Sequence, residues 1–200
     1  MDWQDELYKM GLAFHGHKCP AMPMGLRAAV AAMEALGVQR AGAGELMALV
    51  EIDENHCATC FADGIQVATG CTFGKGNIKK LHYGKWGVTL IDKKRGKAVR
   101  VVPRAEAMEA NKRSEFMALR KAGVPPTKIA DEISDPLVEK VLSASDAELL
   151  ILGPVFDYEW HEEPHTFESV VCEECGEMVV ERNARVQGGR VLCIPCAGQG

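Results

Sequence analysis

No apolar run in this 200-residue chain reaches the roughly 18 residues that a membrane-spanning helix requires. The opening Met1-Asp2-Trp3-Gln4-Asp5-Glu6 also lacks the basic segment and apolar stretch of a secretory signal, so a cytoplasmic protein without membrane contact is expected. No internal repeat or low-complexity tract occurs, and the segments do not follow the regular βαβα alternation of a doubly wound sheet. Apolar residues, by contrast, make up 47% of the chain, enough to fill a core and to exclude disorder as its main state.

The net charge of −5 conceals a strong asymmetry. Residues 75–121 carry fourteen Lys and Arg against four acids, a local +10 that leaves −15 for the rest. Such a middle can steer an anionic substrate, a cofactor phosphate or a nucleic acid, or it can be a solvated helix face beside a lysine-guarded sheet edge.

Hydrophobic periodicity predicts helices over residues 2–14, with Asp2 as N-cap, and over 22–36, where Gly37 stops the run. A short strand is expected at 46–52 and a helix at 63–69, close to Cys60. Strands at 86–91 and 98–103 flank a charged hairpin loop. One amphipathic helix is predicted for 104–122, shorter ones for 128–133 and 137–143, and a last core strand for 148–152. The order suits an α+β class, with an α+β core at residues 1–156, an acidic linker at 157–168 and a small C-terminal domain at 169–200.

Eight cysteines in a reducing compartment point to metal or thiolate chemistry before disulfides. Cys172, Cys175, Cys193 and Cys196 form C-x2-C-x17-C-x2-C, the spacing of a four-thiolate structural zinc site, with two disulfides as the alternative. A stretch this short buries too little apolar surface to fold without such a staple. Its three arginines, Arg182, Arg185 and Arg190, face Glu173, Glu174, Glu177 and Glu181, which favours a protein contact over nucleic-acid binding.

The remaining cysteines are Cys19, Cys57, Cys60 and Cys71, accompanied by His15, His17, His56 and His82. His17 and Cys19 stand two positions apart in a turn, and Cys60 lies near a helix start, where the dipole favours thiolate. Together His17, Cys19 and Cys60 make three ligands with an open fourth position, the pattern of a reactive site for zinc or another divalent transition metal. Cys57-Ala58-Thr59-Cys60 also has redox spacing, but no thioredoxin-like context surrounds it. The loop Gly70-Cys71-Thr72-Phe73-Gly74-Lys75-Gly76 fails as a P-loop, because its glycine spacing is one residue short and Gly76 stands where a magnesium-holding hydroxyl is required. It remains either an anion cradle beside Lys75 or a tight turn.

Taken together, His15-Gly16-His17-Lys18-Cys19-Pro20 with Gly25 and Arg27, Cys60-Phe61-Ala62-Asp63-Gly64-Ile65-Gln66 running into Gly70-Cys71-Thr72-Phe73-Gly74-Lys75-Gly76-Asn77, and Tyr83-Gly84-Lys85 resemble the formylmethanofuran dehydrogenase E-subunit family over about residues 10–155. The resemblance implies an α+β core, dimerisation and, in some members, a C-terminal zinc finger. It carries over His17, Cys19 and Cys60 as a metal cluster, with Cys71 as a weaker fourth. Gly74, Lys75, Gly76 and Lys85 are the candidates for an anion or cofactor. Ala21 and Cys57 depart from the family pattern.

In methanogens the family is associated with a molybdenum or tungsten enzyme that reduces carbon dioxide to a formyl group, although the pterin chemistry lies outside this component. The leading expectation is a homodimeric, metal-binding accessory protein within a larger redox complex, the finger of one chain meeting the core of another. A metal-sensing regulator whose finger contacts protein or nucleic acid is the first alternative. A stand-alone metalloenzyme for a small anionic substrate is the second, although no complete catalytic machinery is visible in the sequence.

Overall fold

The computed structural model describes residues 3–54, 59–162 and 164–199 and divides the chain into two compact units, residues 1–160 and 161–200. Three helices dominate the first half of the first unit: α1 (Trp3–His15), α2 (Ala21–Leu36) and α3 (Cys60–Thr69). The alanine-rich α2 propagates well, is buried on nearly every side, and ends where Gly37 adopts a left-handed φ of 62° and returns its N–H to Glu34. Helix α3 crosses it at backbone contact. A Cβ on Gly25 would lie 2.0 Å from the Phe61 carbonyl oxygen, and one on Gly64 would lie 2.1 Å from that of Met22. Only two glycines allow this approach.

Strands β1 (Leu46–Val50), β2 (Ile78–Lys80), β3 (Val88–Asp92), β4 (Lys97–Pro103) and β5 (Leu150–Leu152) form a sheet in the order β2-β1-β3-β4-β5, parallel at β1/β2 and otherwise antiparallel. Alternation along β3 sends Val88 and Leu90 into the main core and Ile91 to the opposite face, where it meets Met47 and Ala98. The chain then covers that second face. β6 (Phe156–Asp157) pairs with β4, and Tyr158 and Trp160 pack onto the small cluster, with Lys79 and Lys93 5.5 and 5.8 Å from the Trp160 ring centre. The linker expected from residue 157 thus gives its first four residues to the core unit.

The single helix predicted for 104–122 is two, α4 (Ala105–Lys112) and α5 (Glu115–Lys121). Ser114 takes an extended conformation and its hydroxyl caps α5 by accepting the Met117 N–H at 3.2 Å, a local bond that competes with helix continuation. Conversely, the two short helices expected at 128–143 merge from Asp131 onward into α6 (Asp131–Ser143), which tolerates Pro136 in its interior. A turn, α7 (Asp146–Leu149), carries a capping box from Ser145 and Glu148 and leads into β5. Arg27, buried on α2, ties these parts together by donating to the carbonyls of Val141 and Leu142 at 2.8 and 2.9 Å and to Asp146 at 2.6 Å. The architecture is a mixed helix and strand core, as the α+β expectation has it.

The second unit contains two small hairpins, β7 (Ser169–Val171) with β8 (Met178–Val180) and β9 (Arg185–Gln187) with β10 (Arg190–Leu192). A 3-10 turn at Glu181–Asn183 lies between them, and the two hairpins form separate sheets.

Candidate metal centres and cavity

Helix α1 ends on His15, and Gly16, at a φ of 85°, turns the chain away from it. In the segment that follows, Lys18 is clamped by Asp131 and Asp135 of α6 at 2.9 and 2.8 Å, which holds its ammonium proton well above the ordinary lysine range. With Lys18 anchored, His17 and Cys19 come together with Cys60, the first residue of α3. His15, His17, Cys19 and Cys60 each offer one ligand atom, and all four atoms lie within 4.8 Å of one another. The α2/α3 glycine contact sets this gap, since Cys19 precedes one helix and Cys60 opens the other.

His15 joins the three ligands read from the sequence. Its Nδ1–H donates to Asp63 Oδ2 at 2.7 Å, leaving Nε2 aimed at His17 Nε2, 3.1 Å away, and at Cys19 Sγ, 3.5 Å away. Burial opposes the charged ring, but the Asp63 carboxylate and the Cys19 sulfur outweigh it and carry the His15 pKa up to about 9. The Cys60 thiol hydrogen-bonds the Cys19 sulfur, so Cys19 is held as the thiolate far below its ordinary value and Cys60 is pushed up. The donor set fits a borderline ion such as zinc. Two imidazole nitrogens and two sulfurs around a tetrahedral ion stand about 3.3–3.8 Å apart for bonds of roughly 2.0–2.3 Å, so a contraction of about 1 Å closes the site. A carboxylate behind a ligating imidazole is the usual orienting partner.

Cys71 does not join this cluster. It lies past the far end of α3, whose last residue stands about 14 Å along the helix axis from Cys60 at 1.5 Å per residue, and is fully buried in the apolar core, which pushes its thiol up. There it serves as a small core residue. His82, at a φ of 56°, pairs with Glu54 at 3.0 Å instead. His56 and Cys57 lie outside the described residues.

The glycine-rich loop is a turn. The N–H groups of Thr72, Lys75 and Gly76 go to Asn77 Oδ1, Thr72 and the Phe73 carbonyl, and buried Asn77 donates onward to Ala43 and Leu46. The Lys75 ammonium bonds the Ala41 carbonyl at 3.2 Å, and nothing lies within 4 Å of a Cβ on Gly74. These donors are spent internally, which favours the tight turn over an anion cradle. Lys85 stands beyond the other end of β2, its N–H bonded to the Glu51 carbonyl. Much of the basic middle is likewise engaged: Arg100 grips buried Glu51 through two bonds of 2.5 and 2.7 Å, while Arg95 pairs with Asp92, Lys97 with Asp157 and Lys112 with Glu109.

A cavity of about 270 Å³ opens onto the core cluster, with His17, Cys19 and Cys60 in its lining. Its walls are apolar and come from Met24, Trp86, Pro126 and the α4/α5 pair, which contributes Met108, Phe116 and Met117. Thr59, Asn111, Lys112 and Arg120 are its other polar members, and among the described residues no carboxylate lines it. Sequence reading missed this chamber because it exists only where α4 and α5 break at Ser114.

In the second unit Cys172, Cys175, Cys193 and Cys196 also bring their sulfurs within 4.8 Å of one another. Gly176, at a φ of 75°, closes the first knuckle by donating to the Cys172 carbonyl. The N–H groups of Cys175 and Cys193 draw the Cys172 thiol down to about 6. All seven described cysteines are free thiols. Among the described residues no helix is long and apolar enough to cross a membrane.

Comparison with known proteins agrees with this two-part organisation. Residues 14–151 match the profile described as "FmdE, Molybdenum formylmethanofuran dehydrogenase operon", and residues 165–199 match the "Prokaryotic dksA/traR C4-type zinc finger". A curated protein of Archaeoglobus fulgidus, named "Probable S-adenosyl-L-methionine-binding protein", is 35% identical over 92% of this chain, which spans 50% of that protein's length. The crystal structure of an FmdE-like protein of the tungsten formylmethanofuran dehydrogenase type from Syntrophus aciditrophicus superposes with a TM-score of 0.61 at 24% identity, covering 98% of this chain and 92% of that one, and shows the same fold.

Proposed function

This chain belongs to the FmdE family, and we propose that it is a metal-binding accessory protein of molybdenum- or tungsten-linked one-carbon redox metabolism, with a reactive core centre and a structural zinc finger. The observation that carries the reading is the convergence of His15, His17, Cys19 and Cys60 at the wall of an apolar cavity. With four protein ligands at hand, a bound zinc-type ion would supply Lewis acidity there only by releasing one of them, such as His15, or by taking a fifth ligand. Asp63 orients His15, Cys19 holds the thiolate, and the cavity walls keep bulk water from the ligands.

The finger works as a protein-contact element, in our reading within a homodimer. Its arginines are offset by neighbouring glutamates, Arg190 with Glu174 at 2.6 Å, while Val171, Met178 and Val186 present apolar surface. The name of the Archaeoglobus relative suggests S-adenosyl-L-methionine as a ligand.

The test is elemental analysis of the full chain purified without added metal. Two ions per chain are expected, one for each ligand cluster, with Cys60→Ser losing one of them and keeping the finger's zinc. A single ion per chain, unchanged in Cys60→Ser, would overturn the core centre.

A further inference from the structure

We infer that the cavity beside the core cluster binds a small organic anion, a carboxylate with an apolar body, whose charged end is received by Arg120. The inference names the ligand class for the proposed centre and rests on that reading of it. Three observations carry it.

The first is the chemistry of the walls. Met108, Phe116 and Met117 together with Trp86 give a chamber of about 270 Å³ that is apolar over most of its surface, near the lower end of the range of about 300–1,000 Å³ in which drug-sized ligands are held. An apolar body of some ten heavy atoms gains from entering it.

The second is the placement of charge. Met108 and Lys112 lie one turn apart on α4, and Phe116 and Arg120 lie one turn apart on α5, so each helix offers an apolar side chain and then a cation to the same space. Lys112 is exposed and already paired with Glu109 at 2.5 Å. Arg120 differs. It is half-buried, its guanidinium is held in place by donation of Nη1 to the Val124 carbonyl at 2.7 Å, and among the described residues no carboxylate pairs with it. A fixed, partly desolvated guanidinium without a counter-charge is a built receptor for a carboxylate, which it can take in bidentate fashion.

The third is the sign of everything else. With no carboxylate in the described lining, no side-chain acid within the cavity competes for Arg120, the Cys19 sulfur being committed to the metal cluster. The sulfur and imidazole groups of the cluster lie in the same wall, so a ligand anchored at Arg120 is held beside the metal ligands.

The experiment is isothermal titration of the full, metal-replete chain with 4-phenylbutyrate and with its neutral amide, metal content being measured on the same samples. The acid is expected to bind about tenfold or more tightly than the amide, the ratio that one lost charge-assisted hydrogen bond sets. Arg120→Gln should reduce the acid to the affinity of the amide while leaving metal content unchanged. Met108→Trp, which fills the chamber without touching the cation, should abolish both. Equal binding of acid and amide, an Arg120→Gln variant that still prefers the acid, or no binding by a chain holding its full metal complement would each overturn the inference and leave the metal centre standing. A chain without core metal would instead count against the centre itself.

Discussion

The Nδ1–H of His15 donates to the Asp63 carboxylate at 2.7 Å across 48 residues of sequence, joining the last residue of one helix to the first turn of another. That bond selects the tautomer in which Nε2 is free to ligate. Asp63→Asn should therefore leave the fold intact and weaken core metal binding by about 10–100-fold, the usual cost of losing such a partner. Competition against a chromophoric chelator measures it, and an unchanged affinity would show that His15 needs no orientation.

Gly64→Ala tests the helix crossing. The new Cβ would stand 2.1 Å from the Met22 carbonyl oxygen and 2.5 Å from the Leu26 nitrogen, both backbone atoms that cannot step aside singly. We expect a loss of about 1–3 kcal/mol or more by chemical denaturation, together with loss of the core ion and retention of the finger's zinc.

Cys193→Ser should release the finger's ion and unfold residues 161–200 while the core keeps its own thermal transition. A thiol count on denatured, unreduced protein distinguishes the alternative. If Cys172, Cys175, Cys193 and Cys196 were found oxidised, two disulfides rather than zinc would hold the domain.

How much of this was legible in the sequence depended on whether a signal was local. The finger's cysteines declare themselves because both pairs obey a fixed spacing, and His17 and Cys19 do so because they share one turn. His15 lies in the same motif, yet its part as a ligand depends on Asp63, which only folding brings near. The break before α5 had a local sign, a serine followed by glutamate, but the apolar spacing across 104–122 continues through it and concealed it. Cys71 was over-read for the opposite reason. It stands in the motif, but α3 carries it to the far side of the core.

Arg27→Ala removes the donor for two carbonyls at the end of α6, one of them buried, and for Asp146. Each orphaned buried acceptor costs about 1–3 kcal/mol, so a destabilisation of about 2–3 kcal/mol is expected by urea unfolding. Asp146 is half-exposed and contributes less. Metal content should not change.

A pH effect is expected at the β3–β4 hairpin. Burial of Asp92 opposes its charge, but the Arg95 side chain and the N–H groups of Arg95 and Lys94 more than compensate and lower its pKa below 3.8. A carboxyl depressed in the folded state contributes stability above its unfolded pKa and loses it as the pH falls through the folded value. The stability difference between the native chain and Asp92→Asn should thus be constant near neutrality and shrink below about pH 4, as followed by denaturant titration at several pH values.

The contact of Gly25 and Gly64 with the opposing backbone has a consequence for ion choice. Because main chain rests on main chain, the backbone positions from which Cys19 and Cys60 project are fixed, and closure on an ion falls to side-chain rotation. A larger thiophilic ion such as cadmium asks for less closure of ligand atoms that lie up to 4.8 Å apart, so the core should not discriminate against it on size.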